Sequence, residues 1–341
     1  MLNSLTYLTR GCPRNCEYCN LRDAKNVGQR LTIDEWKTAF QILKDVGINF
    51  NLILGNETWL LGGSLLDLMR SNQVPYALYT TCPEPLFSTY RDEFFGSGII
   101  DNLSCGVDYA PLPDMFQPTD DSYKKSIDAL KGLAWLRDHY PDMDAQGTIT
   151  VHKGNLEQLP NLVNLLTYMR VFIGINFIHW NKDGQYDFFP SYDEIEHLLF
   201  KKEDSMEVTK MMFQLREIEG NLIQNPEFII QRPSILTQMG WHCKGNPYGG
   251  PTIDADGQLR CCGYRRGTHT PVMSIFDLPG NWDIWKDLVY KDAMECPGCA
   301  WSYPWMYHYW EATDPRMGEK VFVKHAGRHI SKDKWSKRKI E

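Results

Sequence analysis

The stretch Leu5-Thr-Tyr-Leu-Thr-Arg10-Gly-Cys12-Pro-Arg-Asn-Cys16-Glu-Tyr18-Cys19-Asn20 decides how the rest of the chain is read. Leu5–Thr9 has the apolar and β-branched make-up of a strand, and Arg10-Gly11 ends it in a loop. The loop carries three cysteines spaced C-x3-C-x2-C. Three thiolates on one loop can hold three corners of an iron–sulfur cube, because such clusters are bound by cysteine thiolates. The fourth corner is then left open to a non-protein ligand. The competing ion, zinc, favours four ligands in paired spacing.

Outward from this loop, strand-like and helix-like segments alternate. Strands are predicted at Leu5–Thr9, Phe50–Leu54, Tyr76–Thr81, Asn102–Val107, Gln146–Val151 and Val171–His179. Helical periodicity falls between them at Thr32–Val46, Ser64–Ser71, Pro85–Gly96, Ser122–His139 and Asn155–Met169. Thr32 and Glu35 form a capping-box pattern, Gly47 is a helix-ending glycine, and Asp121 or Ser122 caps the fourth helix. Repeated strand–helix units argue for right-handed crossovers and a parallel sheet. Six of them make a partial (β/α)6 barrel of TIM type, whose chemistry belongs at the C-terminal ends of the strands.

The cysteine loop resembles the cluster motif of the radical S-adenosylmethionine (radical SAM) superfamily, C-x3-C-x-aromatic-C, with Tyr18 at the aromatic place. The resemblance implies a partial (β/α)6 barrel and a [4Fe–4S] cluster on Cys12, Cys16 and Cys19. It implies that SAM chelates the open iron and that one electron cleaves it to methionine and a 5′-deoxyadenosyl radical, which removes a hydrogen atom from a substrate. Gly55-Asn56-Glu57, after the second strand, stands where the family carries Gly-Gly-Glu against the SAM amino group, with Asn56 replacing the middle glycine. Asp108, after the fourth strand, corresponds to a polar residue near the ribose, and Tyr18, Asn20 and the Gly147–Val151 segment to surroundings of the adenine.

Residues 181–234 read as linker helices, Tyr192–Phe200 and Met206–Glu219, with an extra strand at Pro226–Gln231. Residues 235–315 have a different make-up. Pro251–Cys261 reads as a β-hairpin around Asp256-Gly257, followed by a helix from Trp282 to Tyr290. Cys243, Gly257, Cys262, Cys296 and Cys299 match C-x(9–15)-G-x4-C followed by C-x2-C. This resembles the twitch module, a short form of the SPASM domain, and implies a second [4Fe–4S] cluster ligated by Cys243, Cys262, Cys296 and Cys299. The alternative is a structural zinc. Cys261 is a spare thiol or an alternative ligand, since neighbouring side chains on a strand point to opposite faces. Cys82 and Cys105 read as buried small residues. His179 and Trp180 end the sixth strand and either meet substrate or pack at the rim. The aromatic run Trp301–Trp310 either walls off the active site or covers the small module.

The chain has 341 residues, of which 43% are hydrophobic and 23% charged. Its formal charge is -7, which weighs against a broad nucleic-acid-binding face. Only the segment 316–341 is strongly basic. No run of about 18 apolar residues appears. Ten cysteines without a secretion signal point to metal sites in a reducing, cytoplasmic setting rather than to disulfides. The cluster loop begins at residue 12, which favours a small sugar- or nucleotide-like substrate over a peptide that needs a leader-binding domain. A peptide-modifying enzyme is the second expectation and a nucleic-acid-modifying one the third. The resemblance also implies a reductant such as flavodoxin or ferredoxin.

Overall fold

In a computed structural model, the structure describes residues 2–20, 30–53, 57–72, 74, 76–113, 117–181, 189–217, 250–263 and 273–296. Six parallel strands run in sequence order: β1 (Leu2–Thr6), β2 (Ile48–Ile53), β3 (Tyr76–Thr80), β4 (Ile100–Gly106), β5 (Asp144–Val151) and β6 (Phe172–Phe177). The crossovers carry α1 (Ile33–Asp45), α2 (Gly63–Asn72), α3 (Leu86–Gly96), α4 (Asp121–His139) and α5 (Leu159–Tyr168). This is the α/β architecture that the alternation predicts, an open parallel sheet of partial-barrel type. Two short helices, α6 (Tyr192–Ile195) and α7 (Ser205–Glu217), follow.

Local signals explain most element ends. Thr32 and Glu35 form the capping box: the Glu35 amide donates to Thr32 Oγ1 at 3.3 Å and the Thr32 amide donates to Glu35 Oε2 at 2.8 Å. Gly47, just past α1, takes φ +92°, a value that strains other residues. The cap of α4 is Asp120, one residue ahead of Asp121 and two ahead of Ser122, because its carboxylate reaches the Ser122 amide. Strand β1 begins at Leu2 and ends at Thr6, three residues ahead of the prediction at both ends. Tyr7, Leu8 and Thr9 are buried beyond the ladder, so their apolar make-up reports packing.

The two faces of the sheet differ. The helices bury one stripe each against the outer face: Trp36, Ala39, Phe40 and Leu43 on α1, and Leu159, Leu162, Val163 and Leu166 on α5, at helical spacing. The other face carries buried polar side chains at a period of two: Ser4 and Thr6 on β1, Asn102 and Ser104 on β4, Gln146 and Thr148 on β5. They satisfy one another. Ser4 donates to Asn51 at 2.5 Å, Gln146 donates to Thr148 at 3.3 Å, and Ser104 and Thr148 share a hydrogen bond at 3.4 Å. Buried polar groups left unpaired would each cost about 1–3 kcal/mol.

The predicted hairpin is present as β7 (Thr252–Ile253) and β8 (Gln258–Arg260), turning at Gly257 with φ +77°. Strand β9 (Met273–Ser274) pairs with β8. These strands do not stand apart. β7 runs parallel to β1, with Leu5 opposite Thr252, so one sheet runs in the order β6-β5-β4-β3-β2-β1-β7-β8-β9. The helix α8 (Trp282–Met294) buries Trp285, Val289 and Ala293 in the same apolar core as the barrel. The predicted strand Pro226–Gln231, the turn Asn181–Gly184 beyond its first residue, the aromatic run Trp301–Trp310 and the basic tail lie outside the described residues.

Candidate active site

The parallel strands deliver their following loops to one end of the sheet, and the cysteine loop follows β1 there. The start of α4 holds this loop. The Asn15 amide donates to Asp121 Oδ2 and the Glu17 amide to Asp120 Oδ2, both at 2.7 Å. Asp120 thus caps α4 with one oxygen and grips the loop with the other. Arg14 pairs with Asp128, about two turns further on, at 2.5 Å. On the opposite side the Glu57 amide donates to the Gly11 carbonyl at 2.9 Å. Within the loop, the Cys19 amide donates to the Cys16 carbonyl at 3.1 Å.

Cys12, Cys16 and Cys19 are in no disulfide, Cys16 buried and the others half-buried. Burial pushes the Cys12 and Cys16 thiols up to about 11, so thiolates here need an added positive partner. Cys12 feels the charge of Cys19, and Cys16 that of Cys12, which places the three within electrostatic reach. Among the described residues no three His, Cys, Asp or Glu side chains converge as ligands of a lone ion. A four-iron cube takes each thiolate at a separate corner, so this donor set fits a cluster.

Behind the loop lies a buried charged network. Lys125 on α4 donates from its ammonium to Asp108 Oδ2, and to the Tyr18 hydroxyl at 2.5 Å. Tyr18 donates in turn to the same Asp108 oxygen. The Thr150 amide fills the other oxygen at 2.8 Å. The Asp108 carboxylate is fully buried and the Lys125 side chain 9% exposed. Burial opposes the Lys125 charge, yet the groups around it, Asp108 foremost with Cys16 and Tyr79, together more than offset it, and the ammonium is held above its ordinary range. Tyr18 also packs on His152 at 5.8 Å between ring centres. The Gly154 amide donates to His152 Nδ1 at 3.1 Å, so His152 is neutral with its proton on Nε2, in reach of the Tyr109 hydroxyl at 3.3 Å. Burial lowers His152 to about 4, in agreement.

Glu57 is fully buried and its carboxylate is well occupied. It accepts from Thr80 Oγ1 at 2.7 Å, from the Thr81 amide at 2.9 Å, from Thr81 Oγ1 at 2.8 Å and from the Trp59 amide at 3.4 Å. It ties the end of β2 to the end of β3. Asn20 donates to the Phe189 carbonyl at 3.1 Å, bridging the cysteine loop to the segment after β6. The Phe189 ring lies 5.2 Å from His179, which burial lowers to about 3. Trp180 packs edge-on to Tyr192 at the rim. Gly55 and Asn56 lie outside the described residues.

At the C-terminal end, Cys261 is buried and its thiol reaches the Val289 carbonyl of α8 at 3.8 Å. Cys262 is half-buried, and Cys296 is buried just past α8. Cys243 and Cys299 lie outside the described residues. Cys82 and Cys105 are both buried, with sulfurs 3.5 Å apart.

Sequence reading missed Lys125, Asp120, Asp121 and Asp128. All sit on α4 within or just ahead of its first three turns, where ordinary capping and surface charge explain acidic and basic residues equally well. One signal was present. Buried Lys125 and Asp128 fall on the helix face that also carries Ser122, Ala129 and Leu133, so charge interrupts an otherwise core-facing stripe.

No family model matches the chain. Over 168 residues it is 25% identical to the PqqA peptide cyclase of Bradyrhizobium diazoefficiens, a match spanning 47% of this chain and 42% of that protein. In structure it is similar to Streptococcus suis SuiB bound to S-adenosylmethionine, with a TM-score of 0.55 at 15% identity, covering 85% of this chain and 67% of that one. It is also similar to anSMEcpe with bound AdoMet and the Cp18Cys peptide, with a TM-score of 0.55 at 14% identity, covering 96% and 99%. These likenesses show that the chain shares the fold of two proteins solved with S-adenosylmethionine bound, and in this chain the three-cysteine loop follows β1 at one end of that fold's parallel sheet.

Proposed function

We propose that the protein is a radical SAM enzyme that modifies a peptide. The observation that carries the peptide reading is the likeness to a peptide cyclase, in a fold also seen in SuiB bound to the precursor peptide SuiA and in anSMEcpe bound to Cp18Cys. It outweighs the expectation of a sugar- or nucleotide-like substrate, which rested on where the cluster loop begins. The polar inner face of the sheet suits peptide amides and sugar hydroxyls alike.

In this reading Cys12, Cys16 and Cys19 hold a [4Fe–4S] cluster, which with SAM supplies one-electron cleavage and a hydrogen-abstracting radical. Gly55 and Asn56 line the SAM amino group and Glu57 fixes that turn from behind through Thr80 and Thr81. Asp108 and Lys125 lock Tyr18, and with it the spacing between Cys16 and Cys19. Asn20 closes the loop over Phe189. His179 and His152, both lowered by burial, add no positive charge there. Cys243, Cys262, Cys296 and Cys299 hold a second [4Fe–4S] cluster, which takes up or passes on an electron. The thiol of Cys261 is turned to α8, which leaves Cys262 as the ligand of the pair. A cytoplasmic reductant such as flavodoxin or ferredoxin completes the system.

Anaerobically reconstituted protein should carry about eight irons and release 5′-deoxyadenosine from SAM under a strong reductant. A Cys12→Ala, Cys16→Ala, Cys19→Ala variant should keep about four irons and release none. About four irons plus one zinc in the parent protein would remove the second cluster. A precursor peptide encoded beside the gene should lose hydrogen during turnover and, if deuterated at the reacting carbon, pass deuterium to 5′-deoxyadenosine. An unchanged peptide, with turnover of a sugar or nucleotide derivative instead, would return the substrate to the small-molecule class.

A further inference from the structure

The turn Asp254-Ala255-Asp256-Gly257 between β7 and β8 touches the segment that carries the cysteine loop at both of its ends. At the near end, Arg10 sits two residues before Cys12. Its guanidinium donates to Asp254 through Nε at 3.3 Å and Nη2 at 2.8 Å, and Nη2 also reaches Asp256 at 2.9 Å. At the far end, the Leu31 amide donates to the Ala255 carbonyl at 2.8 Å. The Leu31 side chain lies over Gly257, where an added Cβ would meet its methyl groups at 2.9 and 3.0 Å. Arg260 supports the turn from below, donating to Asp256 at 3.1 Å. The Arg10 side chain is 16% exposed and that of Asp254 fully buried, so this is an enclosed ion pair rather than a surface one.

We infer that this turn is a clasp: it fixes the ends of residues 10–31 and so positions the three thiols before any metal arrives. The forked Arg10 guanidinium and the Leu31–Gly257 contact are its two jaws. Arg10 and Asp256 are positioning residues, acting on the cysteines through the backbone. Within the hairpin itself the Asp254 carboxylate accepts the Ala255 amide at 2.8 Å, Asp256 accepts the Gln258 amide at 3.0 Å, and Arg260 lies 3.8 Å from Asp254. The additional bonds to Arg10 and Leu31 serve the loop.

The test is hydrogen exchange on iron-free full-length protein, so its outcome does not depend on which group the loop holds. In Arg10→Met, amides of residues 12–19 should exchange about tenfold faster or more, as loss of a charge-assisted contact allows. Amides of β4 and β5 should keep their parent rates, and iron uptake on reconstitution should fall. Arg10→Lys should recover only part of the protection, because a lysine cannot fork across one carboxylate. Asp256→Asn should give the same local pattern more weakly. Unchanged exchange at 12–19 in both Arg10→Met and Asp256→Asn would overturn the inference. So would equal acceleration across β4 and β5, which would make the contact merely a contribution to global stability.

Discussion

Replacing Asp108 by asparagine probes the network on which the cysteine loop rests. The substitution keeps size and can still accept the Thr150 amide, but it removes the only carboxylate bonded to the Lys125 ammonium among the described residues. The ammonium stays buried beside the Tyr18 hydroxyl. Breaking a buried pair in this way costs about 3–5 kcal/mol, because the remaining charge keeps its desolvation penalty and loses its compensation. Against a typical domain stability of about 5–15 kcal/mol, that is a large share. Lys125→Met leaves Asp108 with two donors, Thr150 and Tyr18, and should cost less, about 1.5–3 kcal/mol. The double variant has no buried charge left to strand. Its cost should fall below the sum of the singles by about 2 kcal/mol or more. The assay is urea unfolding of iron-free protein followed by circular dichroism. Additivity of the two single costs to within about 0.5 kcal/mol would show that the pair is not coupled and would refute the reasoning.

Two further outcomes follow from packing and charge elsewhere. Burial pushes Asp144, at the start of β5, up to about 6, with Arg137 pulling down and Asp101 pushing up. A raised carboxylate stabilises the fold fully below its unfolded value of about 3.9 and loses that contribution as pH rises through about 6. Asp144 is partly exposed, so the effect is discounted to about 1 kcal/mol; Asp144→Asn should flatten the fall in melting temperature between about pH 4 and about pH 6.5, and an unaltered slope would count against it. Gly132, inside α4, faces Cys82, whose Sγ and Cβ would lie 2.5 and 2.8 Å from an added methyl. Gly132→Ala should therefore destabilise by about 1–3 kcal/mol despite its better helix propensity, and a gain in stability by calorimetry would show that Cys82 yields freely.

How much of this was legible in the sequence follows from the range of each interaction. The capping box at Thr32, the glycine after α1 and the Asp-Gly hairpin turn are local, and their chemistry is written in adjacent residues. The order of β1 to β6 follows from crossover rules that need no side chain. The three cysteines were legible because metal chemistry demands a fixed spacing on one loop. Lys125 was hidden because its partners lie at positions 18 and 108, and nothing in α4 alone tells a buried lysine from a surface one. Arg10 and Asp254 were hidden in the same way, 244 residues apart in the chain. The cap at Asp120 lies one or two residues ahead of the predicted ones, Asp121 and Ser122, because three acidic or hydroxyl residues in a row offer equivalent capping chemistry. The polar inner face was readable in principle from the alternation in Asn102–Gly106 and Gln146–Thr150, but a polar period of two also describes an ordinary solvent-facing strand.

The parallel pairing of β1 with β7 carries a consequence for how the chain acquires its fold. Leu5 faces Leu52 on one side and Thr252 on the other. During synthesis the first neighbour is made soon after β1, while the second arrives only after the whole barrel has been produced. Until then one edge of β1 shows unpaired amides and carbonyls, the kind of edge that recruits strands from other chains. Closing so long a loop late is also entropically slow. The second edge of the strand that launches the cysteine loop is therefore sealed only once Thr252–Ile253 has been made, and nascent chains interrupted before Thr252 leave that edge open.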